Sequence, residues 1–150
     1  MAQLEFTKTI ALMNKYGAEV VAEMITRLNG FRKKATGNLI KSLTYDVEVN
    51  GKNITLNIDA EAYWKYVDKG RKPGKFVPVD ALKKWARVKG IPESAVYPIN
   101  YKIYKKGIPP TNFATTTLTR RKSKFEEMVA KAYKEDMIDY LQRLKNEITD

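Results

Sequence analysis

Thr44-Tyr45-Asp46-Val47-Glu48-Val49-Asn50-Gly51-Lys52-Asn53-Ile54-Thr55-Leu56-Asn57-Ile58-Asp59 is the stretch in which the chain changes its period. Tyr45, Val47 and Val49 alternate with Asp46, Glu48 and Asn50, and beyond the turn Ile54, Leu56 and Ile58 alternate with Thr55, Asn57 and Asp59. Alternation by twos on both sides of an Asn-Gly pair predicts a β-hairpin with one wet face. A hairpin alone is marginally stable in water, so this one must lie on helices or join a larger sheet, which a second copy of the chain can supply.

Upstream the period is helical. Phe6, Ile10, Met13, Val20, Val21, Met24, Ile25 and Leu28 recur at threes and fours, with Lys8, Lys15, Glu19, Glu23 and Arg27 between them, which predicts an amphipathic helix over Leu4–Leu28. Gly17 inside it costs about 1 kcal/mol relative to alanine, so it implies close packing against another segment or a local bend. Asn29-Gly30 should end the helix, and a second short helical piece runs through Phe31, Ala35, Leu39 and Ile40 towards Leu43.

Downstream, Pro78 to Ile91 predicts a short helix capped by Asp80 and closed by Gly90. Leu82, Trp85, Ala86 and Val88 form its inner side, and Lys83, Lys84, Arg87 and Lys89 its outer one. Val96 to Lys106 alternates like a strand at Tyr97, Ile99, Tyr101 and Ile103, yet Pro98 and Gly107 frame a helix that buries Ile99 and Ile103; we read it as a helix. Ile108-Pro109-Pro110 interrupts regular structure, and Thr111 to Thr119 is threonine-rich with Phe113, Ala114 and Leu118 as its anchors. Ser123 and Glu126 form a capping-box pattern opening a last helix, whose stripe is Val129, Tyr133, Met137, Leu141, Leu144 and Ile148 beside an acidic face. The expected architecture is one α+β domain over residues 1–150: a small antiparallel sheet, including the hairpin, packed against a long N-terminal helix and a C-terminal helix.

Composition narrows the chemistry. With 150 residues, 43% of them hydrophobic, the chain can bury a core of its own. It has no cysteine and no histidine. Thiolate sites and disulfides are therefore excluded, and so is the commonest proton-transfer group and metal ligand. No phosphate loop, dinucleotide fingerprint or serine elbow occurs, and Ser42, Ser94 and Ser123 have no histidine to activate them. Asp59, Glu61, Asp68 and Asp80 leave a magnesium-dependent nuclease formally open, but they read more simply as turn, cap and solvent-paired residues. We expect no enzyme, no cofactor and no membrane segment, because no window approaches the roughly 20 apolar residues of a span.

The net charge of +11 is uneven: residues 63 to 125 hold 16 basic and 3 acidic side chains. Within that block, Tyr63, Trp64 and Tyr66 lead into Lys69, Arg71, Lys72 and Lys75 on a loop punctuated by Gly70, Pro73 and Gly74. This reads as an aromatic anchor followed by a presented cationic loop. Arg120, Arg121, Lys122 and Lys124, placed at the start of the final helix, form a second basic patch where helix amides also favour anions. Such cations either keep a surface soluble or attract phosphate without reading sequence.

The order of these pieces resembles the bacteriophage minor tail and tail-completion (head-tail joining) proteins. The residues that carry the likeness are Ala35–Leu43, the hairpin, Tyr66–Lys75, Leu82–Ile91, Ile103–Pro110 and Phe113, and they cover most of the chain after Thr36. The resemblance implies a structural virion protein, without active site or cofactor, that forms a six-fold or twelve-fold ring at the neck. That ring would join the portal or connector to tail proteins, surround the DNA path and be assembled in the cytoplasm of the bacterial host. Loop 69–75 would then touch genomic DNA or a neighbouring subunit. The alternative is a free protein that binds nucleic acid without sequence preference, or a metal-dependent nuclease.

Overall fold

A computed structural model describes residues 2–31 and 36–150 of the chain, except for the side chain of Thr36. Ala35, which the sequence places in the second helical piece, lies outside the described residues. The elements are α1 (Thr7–Gly30), α2 (Thr36–Ser42), β1 (Thr44–Asn50), β2 (Asn53–Asp59), α3 (Trp64–Lys69), α4 (Val79–Lys89), a 3-10 turn (Glu93–Ala95), α5 (Val96–Lys106) and α6 (Phe113–Thr149). The protein is α+β, with a two-stranded antiparallel sheet and two long helices. The chain divides into two compact units, one of residues 1–61 with 113–150 and the other of residues 62–112.

In the first unit α1 packs against α6, both strands and α2. Its inward side is Thr9, Met13, Gly17, Val20, Met24 and Leu28. The hairpin pairs Tyr45 with Ile58 and Val47 with Leu56, so these four side chains share the sheet face that covers α1, while Asp46, Glu48, Thr55 and Asp59 are exposed. Gly51 supplies the positive φ of 62° that the turn requires. A Cβ on Gly17 would stand 2.6 Å from Cδ2 and 2.8 Å from Cγ of Tyr45, and 3.0 Å from Leu56. Close packing, rather than a bend, explains that glycine. We expect Gly17→Ala to destabilise the protein by about 1 to 2 kcal/mol despite alanine's higher helix propensity, because overpacking against a ring outweighs that gain. Thermal unfolding followed by circular dichroism checks this, and a raised Tm would refute it.

Helix α6 departs most from the sequence reading. It begins at Phe113 rather than at Ser123, and Ser123 and Glu126 lie exposed within it, so the capping box does not form. The threonine-rich stretch is helical because Phe113, Ala114 and Thr117 are buried, and the Thr117 hydroxyl donates to the Phe113 carbonyl at 2.7 Å instead of competing for another backbone. Leu118, read as an anchor, is exposed. Burial continues through Ala132 and Asp136, and Val129, Met137 and Leu144 are half-buried. Tyr133, Leu141 and Ile148 from the expected stripe are exposed, and beyond Thr117 the fully buried positions of the helix are Ala132 and Asp136.

The second unit has its own core of Leu82, Ala86 and Val96, wrapped by Val77, Trp85, Ile91 and Ile99. Val96–Lys106 is helical, and Gly90, in the left-handed region, closes α4. Two local expectations fail. Pro78 stands at the N-cap of α4 with no side-chain cap bond, leaving Asp80 in the first turn, and Val88 is 70% exposed. Asn100, 4% exposed, ties the segment before α4 to α5: its amide donates to the Val77 carbonyl at 2.9 Å and its carbonyl accepts the Val77 N–H at 2.8 Å.

Candidate functional site

Residues 62–112 contain 12 Lys and Arg against 3 Asp and Glu, so this unit holds +9 of the chain's +11. Two of its helices end in the same way. After Lys69, Gly70 takes φ 68° and ψ −166°; after Lys106, Gly107 takes φ 69° and ψ −166°. This backbone region is essentially reserved for glycine. It turns both exits so that Arg71 and Ile108 meet in a two-residue antiparallel bridge, each N–H donating to the other's carbonyl at 2.8 Å. Residues 69–72 and 105–108 therefore form one junction. Lysines suit this place electrostatically, since the last turns of α3 and α5 carry the partial negative charge of their free carbonyls.

Loop 70–75 is presented but pinned. The Gly74 N–H donates to the Tyr104 carbonyl at 2.8 Å, and Phe76 stacks on Tyr104 with centroids 4.3 Å apart. Arg71 is half-buried: its guanidinium lies 5.6 Å from the Tyr66 ring centroid and donates to the Phe76 carbonyl at 2.9 Å, while its Nε is buried with no hydrogen-bond partner among the described residues. It braces the loop. Lys69, Lys72 and Lys75 are exposed and make no ion pair among the described residues, so they are the cations the loop offers outward. Tyr63 and Trp64 are half-buried, but Tyr66 is 50% exposed and serves as Arg71's platform instead of an anchor in the core. Asp68, read as paired in solvent, is buried at 1%, and its backbone carbonyl accepts the Asn112 N–H at 2.8 Å.

In the first unit, Arg120, Arg121, Lys122 and Lys124 do not stand at a helix start, because α6 begins at Phe113. Arg120 and Arg121 both bind the Glu23 carboxylate of α1, which Arg27 also meets at 3.0 Å; Arg121 reaches Glu19 at 3.2 Å as well. Burial pushes the Glu23 carboxyl up, but hydrogen bonds from Arg121, Arg27 and Arg120 outweigh it and hold the pKa down to about 2. Lys122 pairs loosely with Glu126 at 3.9 Å. Lys124 lines a cleft of about 350 Å³ together with Leu12, Lys15, Tyr16, Glu19, Arg120, Arg121, Phe125 and Met128, and the rings of Tyr16 and Phe125 stack at 3.9 Å. The second patch is thus part interhelical clamp and part cleft rim.

Sequence reasoning missed Lys105, Lys106 and the glycine-locked bridge. The only signal was the Lys-Gly step, which occurs at 69–70, 89–90 and 106–107 and does not by itself separate the two bridge glycines from Gly90, which simply closes α4. Among the described residues, no group of three or more Asp or Glu is placed to hold a metal ion, and no helix is long and apolar enough to cross a membrane. Compared with family models, curated proteins and solved structures, the chain matches none. Fold and site together define an α+β chain with a backbone-bridged, strongly cationic junction.

Proposed function

We propose that this chain is a structural subunit of a bacteriophage virion, forming a ring at the head-tail junction that joins the portal or connector to the tail and surrounds the DNA path. The likeness read from the sequence supplies the place. The observation that carries the reading is the junction at 69–75 and 105–108: exposed lysines on a backbone locked by two glycines. Phosphate contacts of this kind position a duplex without registering its sequence, which suits DNA that must slide past. The hairpin adds support. Neither strand has a second neighbour in the two-stranded sheet, and such outer edges are a common place for a sister subunit to add.

Lys69→Ser, Lys72→Ser and Lys75→Ser together should leave the fold intact, since none of the three is braced, and Arg71 is deliberately kept. Introduced into the phage, the triple variant should lower the yield of infectious particles by roughly a hundredfold or more. In duplex binding it should reduce the salt dependence of log K by up to about 0.9 for each phosphate that is no longer neutralised. Full infectivity would refute the reading. A monomer that binds duplex tightly at low salt and enters no ring or particle would favour the free nucleic-acid-binding protein.

A further inference from the structure

We infer that the cationic unit carries a track for single-stranded nucleic acid, along which exposed aromatic rings set between the lysines stack on unpaired bases. The inference rests on the nucleic-acid surface of the ring reading and goes beyond it by naming the form of strand that this surface holds. Four large rings of residues 62–112 stand open: Tyr66, Phe76, Tyr97 and Tyr101 are 50%, 53%, 58% and 54% exposed. Large apolar groups scattered singly over a surface need no explanation, but a contiguous set marks a contact site.

These rings are linked. Tyr97, Tyr101 and Tyr104 follow one another at four and three residues, so they share one side of α5, with about 6 Å of helix between Tyr97 and Tyr101. Phe76 lies nearly flat on Tyr104, at an interplanar angle of 9°, which joins the loop to that side of the helix. Arg71 extends the set, since its guanidinium donates to the Phe76 carbonyl and also meets the Tyr66 ring. Cations are interleaved with the rings: Lys69, Lys72 and Lys75 on the loop, and Lys105, whose Nζ lies 5.5 Å from the Tyr101 ring centroid. None of these four lysines makes an ion pair among the described residues. Of the unit's three carboxylates, Asp68 is buried, and Asp80 and Glu93 both act on Lys83, which Glu93 meets at 2.9 Å. The track's lysines therefore call for a polyanion, and its rings decide which one. A duplex keeps its base faces stacked on each other, so it would use the lysines and leave the rings bare. An acidic peptide answers the charge but has no run of flat faces to offer. An unpaired strand alternates phosphates with free base faces and matches both features.

Fluorescence anisotropy on the full chain tests this at one salt concentration, with a labelled oligothymidylate of about 20 nucleotides, an abasic strand of equal charge and a duplex of the same length. The oligothymidylate should bind about tenfold or more tightly than the abasic strand. Tyr97→Ala with Tyr101→Ala should weaken oligothymidylate binding by about tenfold or more and duplex binding by less than about twofold, with circular dichroism unchanged. Tyr97→Phe with Tyr101→Phe keeps both rings and should bind like the wild type. Equal affinity for the oligothymidylate and the abasic strand would overturn the stacking track while leaving the duplex surface of the ring reading in place. So would an alanine variant that loses duplex and single strand to the same degree, or a polyglutamate of equal charge that binds as tightly as the oligothymidylate. A chain that binds none of the three nucleic acids would also overturn it, and the ring reading would then rest on the particle experiment alone.

Discussion

Gly70→Ala and Gly107→Ala should each cost the 62–112 unit about 3 to 5 kcal/mol, the largest effect expected of any single methyl group added to this chain. Two penalties coincide at both positions. The backbone lies at φ 68° and 69°, where an L side chain is strained, and a Cβ on either residue would stand 2.2 Å from a carbonyl oxygen, that of Ile108 for Gly70 and that of Arg71 for Gly107. Those oxygens are the acceptors of the bridge itself, so neither can retreat without breaking a hydrogen bond. Gly74 separates the two causes: its φ is 100°, but nothing lies within 4 Å of its Cβ position. Gly74→Ala should cost only about 1 kcal/mol. Trp64 and Trp85, the chain's two tryptophans, both belong to this unit, so their emission on heating reports on it directly. A drop in the midpoint of roughly 15 °C for Gly70→Ala or Gly107→Ala is expected for a unit this small. Equal effects at Gly70, Gly74 and Gly107 would show that the bridge contributes nothing special.

The second large effect belongs to Asp136. Helix α1 begins after Phe6, which has no side-chain oxygen to cap it, and the missing acceptor comes from α6. Oδ1 of Asp136 accepts the Lys8 N–H at 3.0 Å, and Oδ2 accepts the Thr9 N–H at 2.8 Å and the Thr9 hydroxyl at 2.7 Å. A carboxylate at a helix N-terminus meets both the free amides and the positive end of the dipole. Asp136→Ala removes a cap and leaves a buried hydroxyl and amide without partners, which should cost about 3 kcal/mol and lower Tm by roughly 10 °C. Asp136→Asn keeps one acceptor and should lose less. If Asp136→Ala lost no more than an exposed substitution such as Asp139→Ala, the interhelical cap would be refuted.

The same groups set the acid limit. Burial raises the Asp136 carboxyl, but the Thr9 hydroxyl and the Thr9 and Lys8 amides outweigh it and hold the pKa below the ordinary value; Glu23 goes from 4.5 to about 2. A carboxylate depressed by folding stabilises fully above its unfolded pKa, and that contribution is lost as pH falls through the folded one. Stability should therefore fall between about pH 4.5 and 2, with a shallower acid limb in Glu23→Gln.

How much of this was legible in the sequence differs from one element to the next. Asn50-Gly51 between two alternating runs was enough for the hairpin, because a period of two and a turn that needs positive φ are local facts. Gly17 announced either a close approach or a bend, and neither the choice between them nor the partner, Tyr45, could be read locally. The start of α6 was misread because threonines lower helix propensity, whereas the burial of Thr117 and its bond to the Phe113 carbonyl override propensity from outside the local window. Lys69, Lys72 and Lys75 were visible as a cluster, and Arg71 looked like their equal until its guanidinium was found bracing Phe76 and Tyr66.

By itself the sequence determined what periodicity, turn chemistry and composition can determine: helices, a hairpin, an excess of cations in the middle, and no cysteine or histidine. The tertiary structure decided which charges are spent and which are offered. Glu23 consumes Arg120 and Arg121 from almost a hundred residues away, Asp136 caps a helix 127 residues before it, and Gly70 and Gly107 meet across 37 residues. Those pairings depend on distance in space, and no local pattern in the chain encodes them.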